Sequence, residues 1–74
     1  MNEKLYQMLH SAATADKAKA LLSIDLLSNN PVGIGDHTTE DFYKNAQEAL
    51  KTFAGAHERL EILEKYFQPG KQVI

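Results

Sequence analysis

The sequence predicts an all-α protein, either an antiparallel helical hairpin or a three-helix arrangement, with a long C-terminal helix. Three segments have apolar residues at helical spacing, an Asn-, Pro- and Gly-containing segment divides the chain, and the last helix has clear start and stop signals. With 74 residues, the single domain over 1–74 is so small that one core gives only marginal stability. We therefore expect an oligomeric helical bundle.

Composition excludes several classes of function. The chain has no cysteine, which excludes disulfides, thiolate zinc sites and a cysteine nucleophile. Its net charge of −2 lacks the basic excess of a dedicated nucleic-acid binder. The uncharged stretch 26–35 contains Asn, Pro and Gly and predicts a loop rather than a membrane span. The charged N-terminus lacks the apolar core of a signal peptide, so we expect a cytoplasmic protein.

The N-terminal half predicts helices over residues 2–13 and 15–28. Thr14 is a possible N-cap for the second helix, with Asp16 in its first turn, and the sequence leaves open whether the helix breaks or continues at Thr14. The residues spaced as one face of the first helix are Leu5, Met8, Leu9 and Ala12.

The second predicted helix is apolar around most of its circumference. Because so wide an apolar arc needs more than one neighbour, either the first segment folds back as a third helix or copies of the chain pack together. Asp25 lies on this arc, and we expect it to pair with a basic side chain of a neighbouring helix. The apolar residues are Ala15, Ala18, Ala20, Leu21, Leu22, Ile24, Leu26 and Leu27.

A loop over residues 29–38 leads into the long helix, predicted over residues 39–67. Thr38 can cap this helix, and Asp41 stands three residues later as a shorter form of a capping-box Glu. A Pro-Gly pair stops the helix and leaves a flexible tail, 68–74.

The long helix has a sustained apolar seam with a seven-residue repeat. Its small residues let another helix approach closely, while Phe53 and Phe67 fill the gaps. Gly55 costs about 1 kcal/mol relative to Ala in mid-helix, so either a neighbour passes very close or the helix bends there. The seam, a predicted interface, consists of Ala46, Ala49, Phe53, Ala56, Leu60, Leu63 and Phe67.

The loop before the long helix is the one candidate ligand site. Two glycines two positions apart free the backbone to turn its amides inward, next to the positive end of a helix, which can hold an anion or nucleotide. However, the phosphate-binding Gly-x-x-x-x-Gly-Lys motif is missing, and an aspartate before the cap repels phosphate. A tight structural connection is the alternative. The residues are Gly33, Gly35, Asp36, His37, Thr38 and Thr39.

The residue pattern does not predict catalysis, a cofactor or a metal site. His37 and Asp36 could form a metal pair with His10 or His57, but no two histidines have ligand spacing on one helix. The chain also lacks a recognisable nucleophile turn and framed paired carboxylates, so we expect no enzyme. Nucleic-acid binding would have to use a group of three lysines, although such a group is more typical of a solvent-exposed helix face. These residues are Lys4, Lys17 and Lys19.

The sequence contains the runs NPVGIGDHT at 30–38 and LEILEKYF at 60–67. These runs are similar to those in small open reading frames of T4-like phages, especially phages of marine cyanobacteria, and the resemblance covers about the last 45 residues. It implies a short phage-encoded protein in a bacterial cytoplasm that binds a host or viral partner. It implies no activity and no catalytic residue. We thus predict a non-enzymatic interaction and oligomerisation module, with ligand binding at the glycine loop as the alternative.

Overall fold

The protein is an antiparallel helical hairpin in a computed structural model that describes residues 1–29 and 39–70. Helix α1 spans Glu3–Asn29, and helix α2 spans Thr39–Tyr66. At about 1.5 Å per residue, each helix is roughly 40 Å long. The prediction of an all-α helical hairpin is confirmed, and its three-helix alternative is not the arrangement adopted in the described ranges.

The start of α1 is capped by Asn2. Its Oδ1 accepts hydrogen bonds from the backbone amides of Lys4 at 2.9 Å and Leu5 at 3.1 Å. Its carbonyl accepts the first helical hydrogen bond, from the Tyr6 amide at 2.9 Å. An Asn in this position satisfies amides that the helix itself leaves without acceptors.

Helix α1 continues through Thr14 as a single helix. Thr14 Oγ1 donates to the carbonyl of His10 at 2.8 Å, the pattern of a hydroxyl inside a helix rather than that of an N-cap. Ser23 and Ser28 donate in the same way to carbonyls four residues earlier. One helix therefore replaces the two segments predicted over residues 2–13 and 15–28, because each hydroxyl finds its acceptor within the helix.

Helix α2 begins at Thr39 with Glu40 and Asp41 in its first turn, where carboxylates favour the helix dipole. It ends at Tyr66, one residue before the predicted end. A turn follows at Pro69 and Gly70, and Gly70 adopts a positive φ of 80° that a residue without Cβ tolerates.

The two helices pack through alanines. Ala13 of α1 and Ala56 of α2 are completely buried, and Ala20 and Ala49 are nearly so. Leu63 is the remaining buried residue of the described ranges, and no large side chain there is fully buried. Small side chains let the helices approach closely, but they remove little apolar surface from water. The hairpin core is therefore thin.

Candidate interaction surface

The predicted seam of α2 is the face that packs on α1. Ala49, Ala56 and Leu63 are buried, and the seam positions between them, Ala46, Phe53 and Leu60, are half-buried. Phe67 lies just beyond the end of α2 and is 37% exposed. In the hairpin, α1 of the same chain covers much of the seam.

Helix α1 packs on α2 with a face other than the one predicted from residue spacing. The expected face is largely exposed: Leu5 and Met8 are 45% and 57% exposed. Ala12 is exposed too, and Leu9 is half-buried. The residues of α1 that contact α2 recur every seven positions and place alanines opposite the alanines of α2. Because small side chains on both helices allow close approach, α2 covers this side of α1. It consists of Tyr6, Ala13, Ala20 and Leu27.

Polar pairs brace both edges of this contact. Arg59 Nη2 donates to Asp16 Oδ2 at 3.0 Å, and His10 Nε2 donates to Glu64 Oε2 at 2.8 Å. Asp16 and His10 lie three residues to either side of the buried Ala13, so they flank the contact face. These pairs are partly exposed, and such pairs stabilise by about 0.2–1 kcal/mol. Both pairs join residues that the antiparallel register brings together.

The histidines of the described helices pair with carboxylates rather than with each other. Lys17 Nζ lies 3.1 Å from His57 Nδ1, and an ammonium can only donate, so Nδ1 accepts. The proton is then on His57 Nε2, which donates to Glu61 Oε1 at 3.2 Å.

In the described part of the chain, no group of three or more His, Asp or Glu side chains is placed to hold a metal ion. His37 and Asp36 lie outside it.

The three lysines considered for nucleic-acid contact do not form one patch. Lys17 is turned toward Phe53 and His57 of α2. At 100° per residue, Lys4 and Lys19 lie on the far side of α1 from Lys17. The positive charges therefore point in different directions.

An apolar stripe of α1 faces away from α2 and stays exposed. Met8 is 57% exposed, Leu22 58% and Leu26 55%, and the small residues between them are exposed as well. The wide apolar arc of this helix is thus covered by α2 on one side only. We call this surface the outer stripe; it consists of Met8, Ala15, Ala18, Leu22 and Leu26.

Asp25 lies at the edge of the outer stripe, without the basic cross-helix partner predicted from the sequence. Its Oδ1 is 3.5 Å from the side-chain amide of Asn29 in the same helix. Among the described residues, no Lys, Arg or His forms an ion pair with it. The reason is its position, since Asp25 is exposed and turned away from α2.

The most exposed apolar side chains of α2 lie near the loop end, while Ile62 and Tyr66 at the other end are 40% and 43% exposed. Tyr43 is 53% exposed, and Leu50, seven residues later, is 61% exposed. The next two positions of this repeat are His57, which donates to Glu61, and Glu64, which accepts from His10. This apolar surface therefore ends after two residues.

The candidate ligand loop falls outside the described residues except for its last member. Thr39 begins α2, and acidic side chains follow it directly. The other members are Gly33, Gly35, Asp36, His37 and Thr38, and the end of the predicted tail, 71–74, also lies outside the described ranges.

These features define a small helical-hairpin protein with an exposed apolar stripe on one helix. Neither described helix combines the length and apolarity needed to cross a lipid bilayer. Comparison with known protein families, curated proteins and solved structures gives no match to this chain. The contacts and exposed surfaces of the hairpin are therefore the basis for assigning a function.

Proposed function

We propose that the protein is a non-enzymatic interaction module that self-associates as a helical bundle. The observation that carries this proposal is the contrast between its core and its surface. Within the described helices, the buried residues are four alanines and Leu63, whereas Met8, Leu22 and Leu26 on one face of α1 are each more than half exposed.

The energetics of a small hairpin support association. Ordering each residue costs about 1–2 kcal/mol in backbone entropy, and burial returns roughly 25 cal/mol per Å² of apolar surface. An alanine core has little apolar surface to bury, so the monomer depends on weak polar pairs at its edges. Covering the outer stripe adds the burial of several Leu and Met side chains, each worth about 1.5–3 kcal/mol when complete.

The wider biological setting is part of the same proposal. The resemblance to small proteins of T4-like phages supports a role in the cytoplasm of a bacterial host, where an assembled bundle would bind a host or viral protein. The net charge of −2 and the scattered lysines argue against nucleic acid as the main partner.

The direct test is the solution mass of the chain, measured by light scattering and sedimentation equilibrium over a wide concentration range, with circular dichroism at each concentration. We expect a mass at a multiple of 8.3 kDa and a loss of helicity on dilution. A folded, fully helical monomer at every concentration would overturn the self-association proposal.

A further inference from the structure

We infer that the outer stripe of α1 packs against the same stripe of a second copy, antiparallel, around a two-fold axis at Ala15. This inference rests on the self-association proposed above and adds the surface, the orientation and the register. Ala15 lies on the exposed side of α1, so the contact can form without disturbing the hairpin.

Side-chain size is symmetric about Ala15 over the central part of the stripe, from Met8 to Leu22, while Leu26 is the counterpart of Lys4. Ala12 and Ala18 lie three residues to either side, and Met8 and Leu22 lie seven residues to either side. In a two-fold interface, if residue i contacts residue j, then j contacts i. An axis at Ala15 therefore places Met8 of each copy on Leu22 of the other and leaves small residues at the crossing point.

The small centre repeats the packing already present inside the hairpin. There, Ala13 and Ala56 are completely buried where the two helices approach closely, and larger residues fill the flanking positions. Ala15 and Ala18 allow the same close approach on the opposite side of α1, and Met8 and Leu22 fill the space on each side. Helix α1 would then lie between two neighbours, as its wide apolar arc requires.

The charges of Lys4 and Asp25 favour an antiparallel over a parallel arrangement of the two α1 helices. Lys4 lies eleven residues before Ala15 and Asp25 lies ten residues after it, so the antiparallel arrangement brings them to within about one residue rise, 1.5 Å, along the axis. A parallel pair would instead place Lys4 against Lys4 and Asp25 against Asp25, and like charges in contact disfavour that pairing. The dimer thus supplies Asp25 with the basic partner that α2 does not provide.

The exposed apolar surface of α2 near the loop is a poorer candidate. Tyr43 and Leu50 are followed in the same repeat by His57 and Glu64, whose side chains already pair with Glu61 and His10. A contact centred there would cover only the loop end of the hairpin. Leu50 is therefore a matched control, since it is as exposed as Leu22 but lies outside the proposed interface.

Single-cysteine variants test the register directly, because the chain has no cysteine of its own. Under oxidising conditions, Ala15→Cys should form disulfide-linked dimers across the axis, since disulfides need Cα atoms about 4.4–6.8 Å apart. A mixture of Met8→Cys and Leu22→Cys should link one variant to the other. Neither should link to itself, because each pair is separated by 14 residues, roughly 21 Å, in the antiparallel dimer. The exposed Ala54→Cys is the control on α2. Self-linking of Met8→Cys in preference to the mixed product would overturn the antiparallel arrangement.

A lysine introduced into the outer stripe tests whether this stripe is the surface through which two copies associate. Leu22→Lys should raise the dissociation constant roughly tenfold or more, whereas Leu50→Lys should leave it near the wild-type value. Lys4→Asp should also weaken association, and adding Asp25→Lys should restore it. If the wild type is oligomeric and Leu22→Lys leaves its mass unchanged, the outer stripe is the wrong surface although self-association stands. If the wild type is a folded monomer, both proposals fail.

Discussion

Lys17 of α1 contacts two successive rings of α2, with Nζ 3.1 Å from His57 Nδ1 and 5.6 Å from the centroid of the Phe53 ring. The two rings are nearly parallel, with 6° between their planes. Lys17 therefore combines a hydrogen bond with a cation–π contact at the middle of the hairpin, where the buried residues are alanines.

Replacing Lys17 by Met should lower the free energy of unfolding by about 0.5–1.5 kcal/mol. Methionine keeps an apolar stem against Phe53 but loses the cation–π contact and the hydrogen bond to His57. The measurement is urea denaturation at one fixed protein concentration, since association would otherwise shift the midpoint. Lys19→Met is the matched control, because Lys19 makes neither contact; an equal loss in both variants would contradict a specific role for Lys17.

The buried alanines give a second prediction. Ala56→Leu should destabilise the hairpin by about 1–3 kcal/mol, because Ala56 has no exposed surface and a larger side chain must separate the helices. Thermal unfolding followed by circular dichroism measures the effect. Ala54→Leu, two residues earlier and exposed, should change stability by less than about 0.5 kcal/mol. A tolerated leucine at 56 would mean that the helices do not meet closely there.

How far the sequence predicts this fold differs between the two helices. In α2, charged residues surround the seam, so the repeat selects one face, and that face is the one packed on α1. In α1, apolar residues occupy most of the circumference, so periodicity does not select one face. The face of α1 that packs on α2 is instead the one whose alanines fit those of α2. Thr14 shows the same limit locally, since a threonine hydroxyl can cap a helix or bond to a carbonyl inside it.

The candidate interaction surface was predictable only in part. The excess of apolar residues on α1 indicates an additional neighbour from sequence alone. Which residues remain exposed depends on the register of the hairpin, and that register depends on pairs distant in sequence, such as Asp16 with Arg59. The repeat of Ala13 and Ala20 with Tyr6 and Leu27 was the available signal for the packed face.

Substitution of Gly55 gives a prediction that distinguishes the stability of the hairpin from its self-association. A Cβ added at Gly55 meets no heavy atom within 4 Å, so α1 is not the close neighbour that a glycine in mid-helix suggests. Gly55→Ala should therefore stabilise the protein by about 1 kcal/mol through the greater helix propensity of alanine. Denaturation measures the gain, and sedimentation should show unchanged association. Weaker association of this variant would indicate that a second copy packs closely at Gly55 rather than on the outer stripe.

The cap of α1 gives the last prediction. Asn2→Ala should cost about 1 kcal/mol, because the amides of Lys4 and Leu5 lose the Oδ1 acceptor and the first turn frays. Amide hydrogen exchange should show the loss concentrated at the start of α1. Asn2→Asp should preserve protection, since a carboxylate accepts the same hydrogen bonds and favours the helix dipole. If Lys4 pairs with Asp25 of a second copy, fraying of this turn should also weaken association, and Asn2→Asp should not. Loss of protection along the whole helix in Asn2→Ala would mean instead that α1 unfolds as one unit.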